Sequence, residues 1–336
     1  MAQTEHNIRL TSSEIAQLWS GYMGDSMSRC VLSYFMKLVE DEEIRQAVQY
    51  ALHLSEQHLQ TITTIFENER FPIPHGFTDK DVNVGARRLF SDTFMLVYLR
   101  NVAKQGLSLY GMALAVSART DVRAYFSECL ASVTELYNKA AGILLSKGLY
   151  IRSPYLPTPE SAEYVQKESF LNGFFGDKRP LNALEISHFY SDIQTNALGK
   201  ALITGFAQTA QSAEVKHYFL RGKDLAQKQL EVFSSYLKDD DLPAPMTWDS
   251  DVLDSTEPPF SEKLMLFHIT GLNAAGVLNY GTAISVAMRR DVVAAYTRLM
   301  TEILTYAEDG AKLLIDNGWM EKTPGTVDRD ALAAKG

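Results

Sequence analysis

Cysteine is nearly missing from this chain: two residues, Cys30 and Cys129, in 336. Both fall inside helical patterns, which argues against a secreted disulfide framework and fits a reducing cytoplasm. There is no C-x-x-C pair and no glycine-rich phosphate loop. Basic residues are outnumbered, 32 Lys and Arg against 41 Asp and Glu, for a net charge of −9. Nucleic acid and anionic membrane both demand a basic face, so neither is an expected partner. Long apolar runs are lacking too. The most apolar stretch, Phe94-Met-Leu-Val-Tyr-Leu99, stops at Arg100, far short of the roughly 20 residues that span a bilayer. The first ten residues are polar and do not read as a signal peptide.

Hydrophobic residues at 46% and charged residues at 22% are ordinary globular values, so disorder and fibres are poor readings. The length suits two domains, and the sequence repeats itself. Shifted by 171 residues, Leu10-Thr-Ser-Ser-Glu-Ile15 falls on Leu181-Asn-Ala-Leu-Glu-Ile186, and Phe71-Pro-Ile-Pro74 on Leu242-Pro-Ala-Pro245. After a one-residue slip, Tyr110-Gly111 falls on Tyr280-Gly281, Arg119 and Asp121 on Arg289 and Asp291, and Gly148 on Gly318. From 90 to 154 the slipped comparison gives 17 identities in 65 positions. Collinear matches of this density indicate tandem duplication.

Each half reads as four helices. Thr11-Ser-Ser-Glu14 and Asn182-Ala-Leu-Glu185 are capping boxes opening the first helix of each half. Ile15, Trp19, Tyr22, Ser26 and Cys30 make its apolar stripe. The second helix follows Asp41 or Ser212, and its face is Ile44, Val48, Ala51, Ser55, Ile62 and Phe66. Proline then ends it, and a long loop from about Phe71 to Arg88 suits a crossover. Ser91 and Ser261 are expected to cap third helices that are apolar over most of their circumference, hence buried and positioned at the contact between bundles. Asp121 and Asp291 are expected N-caps of the fourth helices, and Gly148 and Gly318 their left-handed C-caps. The matched glycines Gly106/Gly276 and Gly111/Gly281 lie mid-helix, where each costs about 1 kcal/mol, and so predict close approach by a neighbour. The expected organisation is a four-helix bundle over 1–150, a linker over 151–180, and a second bundle over 181–336. With Tyr150 leading into it, the linker carries Tyr155, Tyr164, Phe170, Phe174 and Phe175, which suggests a strap packed on a bundle.

Several strings in this chain, Phe71-Pro-Ile-Pro-His-Gly-Phe77, Arg88-Leu-Phe-Ser-Asp-Thr-Phe94, Ser169-Phe-Leu-Asn-Gly-Phe-Phe-Gly176, Pro245-Met-Thr-Trp-Asp-Ser250 and Met288-Arg-Arg-Asp291, resemble those of the domain of unknown function 3231 family of spore-forming bacilli. The resemblance covers both halves. It implies an all-α, tandem ferritin-like fold similar to spore coat protein F, and a structural role associated with the spore or with stress. It implies no established activity.

A ferritin-like fold raises the question of a di-iron centre, which needs inward Glu and Glu-x-x-His sets on four helices. Glu185-Ile-Ser-His188 and Glu214-Val-Lys-His217 match superficially. However, Glu185 is committed to a capping box, the histidines lie opposite the apolar stripes, and the two strings start successive antiparallel helices. His53 and Glu56 lie off the core face. His58 does fall in the apolar stripe, and Gln229 is its counterpart. His268 stands where the first half has Tyr98, and Glu302 where it has Ser132. His268, Glu302 and Gln229 are therefore candidates for a polar layer in the second bundle, with a His268–Glu302 pair at its centre. Its bland form is a hydrogen-bonded cluster, and its sharp form a single metal ion or small-ligand pocket. Cys30 and Cys129 lack an evident base and read as core residues. The leading expectation is a non-enzymatic structural or interaction protein, cytoplasmic or spore-associated, with protein partners or self-association. The alternatives are a metal-binding or oxidase-like protein and a carrier of an apolar small molecule.

Overall fold

The structure is a computed structural model that describes residues 8–334. The first half contains α1 (Ser12–Leu38), α2 (Glu42–Asn68), α3 (Asp92–Ala115) and α4 (Thr120–Ser146). The second contains α5 (Ala183–Thr209), α6 (Ala213–Asp239), α7 (Glu262–Val286) and α8 (Arg290–Asp316). A single turn, α9 (Arg329–Ala333), follows. The chain is two tandem four-helix bundles, and no strand ladder forms among the described residues. Within each half the first two helices pack as one pair and the last two as another.

Local chemistry explains the boundaries. Asp41, Ser91, Ser212 and Ser261 each accept a backbone N–H from the first turn of the helix they precede. Gly148 and Gly318 end α4 and α8 with φ of 69° and 68°. The expected Asp121 and Asp291 caps are corrected: the N-caps are Arg119 and Arg289, with no side-chain cap bond. The aspartates sit two residues past the caps, each holding the cap arginine in a fork.

The glutamates of the two capping boxes supply what those caps lack. Glu14 closes its box on Thr11, and its second oxygen accepts from Ala118 and Arg119 at 2.9 and 2.8 Å. Glu185 repeats this on Asn182, Met288 and Arg289, with Arg179 added as a two-pronged partner at 2.8 and 2.9 Å. One buried carboxylate thus ties the start of the first helix to the start of the fourth. Burial opposes ionisation of Glu185, but the Arg179 guanidinium and the backbone N–H groups outweigh it and hold the pKa at about 2.

The two bundles meet through their crossovers, related by a pseudo-twofold axis. Val82 bridges Phe260 and Phe90 bridges Val252, both antiparallel. The hydroxyl of Ser91, the α3 cap, donates to Asp251 at 2.5 Å, and that of Ser261, the α7 cap, to Asp81 at 2.7 Å. Asn83 N–H donates to Pro259 O, and Leu253 N–H to Leu89 O, both at 2.8 Å. Tyr98 of α3 touches His268 of α7 across this contact. From Phe94 to Leu99 α3 is buried here, but further along Leu109, Met112 and Val116 are exposed, so the helix is not apolar-buried throughout.

Two expectations fail. A side chain at Gly106 would crowd Val133, and one at Gly276 would touch Ile303, but nothing approaches Gly111 or Gly281. Nothing in the structure explains that second pair. The tight notches are elsewhere: Gly222 and Gly310 admit the hydroxyls of Tyr306 and Tyr218, whose rings stack 4.2 Å apart. The linker is only partly a strap. Tyr150 lies under Arg100 and Phe170 under Arg179, but Tyr155, Tyr164 and Phe175 are 88–89% exposed and Phe174 60%. Pro154, Pro157 and Pro159 remove backbone donors and hold the chain extended, so this stretch does not fold back.

If the crossovers carry the contact, the covalent linker is dispensable once folded. Cleavage at a protease site inserted between Leu156 and Gln166 should leave both fragments eluting as one particle on gel filtration; two half-sized species would contradict this. Removing the buried carboxylate should also be costly. Glu185→Ala is expected to lose about 3–5 kcal/mol by chemical denaturation, since it strands Arg179 and three backbone donors. The folded-state pKa of Glu185 is depressed, so its contribution is complete above the ordinary value of 4.5 and lost as pH falls toward about 2. The gap between wild type and variant should close over that window.

Candidate functional site

Leu18, Asp25 and Leu32 are spaced by seven on α1, and all three are buried. The heptad spacing turns Asp25 into the middle of the first bundle, where α2 brings His58, α3 brings Tyr110, and α4 brings Tyr125 and Cys129. His58 Nδ1 lies 3.3 Å from Asp25 Oδ1 and 3.4 Å from the Tyr110 hydroxyl. Both tyrosine rings meet the imidazole edge-on, and the Cys129 thiol sits beside it. Asp25 Oδ2 and the Tyr125 hydroxyl are buried without a partner.

Burial is the largest influence on both members of the Asp25–His58 pair, and it opposes charge. For His58, the hydrogen bonds to Asp25 and Cys129 and the Asp25 charge prevail and push its pKa up to about 10. For Asp25, burial prevails, and its carboxyl is raised above the usual value. The contact thus joins a titratable acid and a titratable base at the centre of the bundle.

The second bundle holds the same constellation without charge. Asn196, Gln229 and Tyr280 occupy the positions equivalent to Asp25, His58 and Tyr110. Asn196 Nδ2 donates to the Tyr280 hydroxyl at 2.7 Å, and that hydroxyl donates to Gln229 Oε1 at 3.2 Å. Tyr125 and Cys129 become Ala295 and Leu299. One fold position thus carries an Asp–His–Tyr layer in one copy and an Asn–Gln–Tyr layer in the other.

His58 and Gln229 therefore lie in equivalent central layers, one per bundle. His268 does not join them. It faces the other bundle, its Nε2 3.2 Å from the Tyr98 hydroxyl, and burial lowers its pKa to about 4. Glu302 points outward to Lys228 at 2.7 Å. The expected His268–Glu302 pair does not form, because the α7 face bearing His268 turns to the neighbouring bundle while Glu302 precedes the core residue Ile303 on the solvent side of α8. No two of His58, Gln229, His268 and Glu302 are bonded to each other, and among the described residues no group of three or more His, Cys, Asp or Glu is placed to hold a metal ion. Asp25, Tyr110 and Tyr280 escaped the sequence reading. The signal available was the aligned, isosteric Asp25/Asn196 pair between buried leucines.

A further buried acid, Asp192, accepts the Tyr296 hydroxyl at 2.9 Å. Burial raises its pKa to about 7, against the opposing effects of Tyr296 and Lys104. Lys104 and Arg100 reach α5 from the first bundle, to Ser191 and Gln194.

Fold and core define a tandem helical-bundle protein with one charged and one neutral polar layer. Residues 1–161 and 169–332 both match the family described as protein of unknown function (DUF3231), and the chain belongs to that family. A Bacillus halodurans structure designated a candidate spore coat protein is similar at 17% identity and a TM-score of 0.40, covering 45% of this chain and 98% of its own. No curated protein matches.

The neutral layer is a built-in comparison for the charged one. His58→Gln alone leaves Asp25 buried and unpaired and should cost about 3–5 kcal/mol. Asp25→Asn with His58→Gln recreates the second bundle's pair and should recover most of that loss in a double-mutant cycle measured by urea unfolding. A double variant no more stable than the single would show that the layers are not equivalent. One equivalent of metal in the wild type, lost in the double variant, would assign the pair as ligands.

Proposed function

We propose that this chain is a non-enzymatic structural or interaction protein of the ferritin-like type. Its bundle domains, 1–150 and 181–336, act as one rigid body that displays the linker, 151–180, to a protein partner. The first such partner is a second copy of the chain. The observation that carries this is the exposure of Tyr155, Tyr164, Phe174 and Phe175 on a segment anchored at both ends, by Tyr150 beneath Arg100 and by Arg179 on Glu185. Aromatic side chains are enriched in the buried centres of protein interfaces. A tethered display also limits the conformational entropy lost on docking. The resemblance to spore coat protein F makes the sporulating cell the natural setting for such adhesion, with synthesis in the cytoplasm. Among the described residues no helix is long and apolar enough to cross a membrane.

A metal-binding reading is favoured only by Asp25 facing His58, and the double variant above decides it. For the leading reading, sedimentation velocity over a range of concentrations should show self-association of the wild type. Replacing all four exposed aromatics with serine should abolish it while leaving the thermal midpoint unchanged. A wild type that stays monomeric throughout, or a variant that associates equally well, would remove the proposal.

A further inference from the structure

The interior of the second bundle contains a cavity of about 70 Å³ among α5, α6, α7 and α8. Its lining is partly apolar, with Ile203, Ile269 and Ile303, and partly amide-bearing, with Gln229 and Asn273. Gln229 is 3% exposed, and the Tyr280 hydroxyl already occupies its Oε1. Its Nε2 is buried with no partner, and Asn273 Nδ2 makes no full hydrogen bond, although the Tyr218 hydroxyl lies close to it. Two amide donors at the edge of a cavity, neither with a full hydrogen bond, are costly, about 1–3 kcal/mol apiece. A guest that brings an oxygen acceptor would recover part of that cost.

We propose that this cavity binds a small uncharged oxygen-bearing molecule, a short ketone or alcohol of the size of acetone or propan-2-ol, held by the Gln229 and Asn273 amides. This is independent of the linker's role. Size sets the upper limit: the volume is about half of the roughly 150 Å³ that accommodates benzene. Charge is excluded by the lining, which contains no Lys or Arg to offset an anion and no Asp or Glu to offset a cation. The cavity is partly open: Asn196 and Gly199 on α5, Leu225 and Ala226 on α6 and Leu272 on α7 line it and remain partly exposed. The first bundle lacks the site. Ser28 stands where Gly199 leaves space, and Ala103 replaces Asn273.

The test is a titration of the full-length protein with acetone and with propan-2-ol, followed by the side-chain amide resonances of Gln229 and Asn273. Saturable shifts are expected in the wild type, with acetate producing none. Asn273→Ala, which copies the first bundle, should weaken binding by about tenfold, ~1.4 kcal/mol. Ala226→Leu should fill the cavity and abolish the shifts, with circular dichroism confirming its fold. If Ala226→Leu fails to fold, Asn273→Ala decides alone. The proposal falls if the wild type shows no saturable shift, if Asn273→Ala binds as tightly as wild type, or if acetate binds equally well. A high-resolution structure from acetone-soaked crystals with only ordered water in the cavity would also overturn it.

Discussion

The reciprocal capping of α3 and α7 is the interaction on which the rest of the molecule depends. Ser91 accepts the Phe94 N–H of its own helix while donating to Asp251 of the other bundle, and Ser261 does the same with Leu264 and Asp81. Each third helix is thus capped by its own serine, and that serine's hydroxyl is held in turn by the other bundle. The arrangement is isologous: residue i of one half meets j of the other, and j meets i, as in a symmetric dimer. Because serine, aspartate and the bridged residues lie within a few positions of one another, a shift of either crossover would break all of these contacts together. The aromatic rings around this point, Phe35, Phe90, Phe94 and Tyr98 on one side and Phe206 and Phe260 on the other, then pack in a fixed register.

With the bundles fixed against each other, their interiors have been free to differ. Both keep a polar layer at mid-height, and the neutral version shows that the fold itself needs only hydrogen bonding there. Burying an ion pair in place of an isosteric amide pair is rarely a gain in stability. The charged layer in the first bundle therefore needs a reason beyond packing, and the unpartnered Asp25 Oδ2 beside Cys129 and Tyr125 marks where that reason would act. The second bundle has smaller residues near its layer: Gly199 leaves space where the first has Ser28, and Gly222 gives room to the Tyr306 hydroxyl where the first has Ala51.

Helix number, order, most caps and the duplication were legible in the sequence because each rests on local signals: capping residues, C-terminal glycines and a repeat in register. What stayed hidden depends on contacts distant along the chain. The stripe through Tyr22 and Ser26 described the α1 face toward its neighbours, but periodicity alone could not show that Asp25 points to the bundle axis. Glu14 and Glu185 were legible as capping boxes, whereas their bonds to residues 118–119 and 288–289 span about a hundred positions. His268 and Glu302 were placed on the right helices but given the wrong directions, because the turn of α7 toward the first bundle is set by the crossovers. The linker aromatics were read from composition, which cannot register that three prolines keep the segment from folding back.

The residues nearest the pseudo-twofold axis carry the clearest mark of fusion. In a true dimer a residue on the axis meets its own copy. Here Tyr98 and His268 occupy equivalent positions and meet each other, a phenol beside a neutral imidazole. A second pair of positions has diverged together. The Tyr34 hydroxyl donates to Arg87 O and accepts the Leu89 N–H, bracing the first crossover from α1. Its equivalent on α5 is Gly205, and the equivalent of Leu89 is Pro259. Proline has no N–H to give and glycine no hydroxyl to receive it, so donor and acceptor are missing together. The space at Gly205 is used instead by the Phe90 ring of the first bundle, which a Cβ would strike. Loss of the brace in one half and entry of the other half's phenylalanine are thus a single change in packing. It is available only to a chain whose two copies no longer have to be identical.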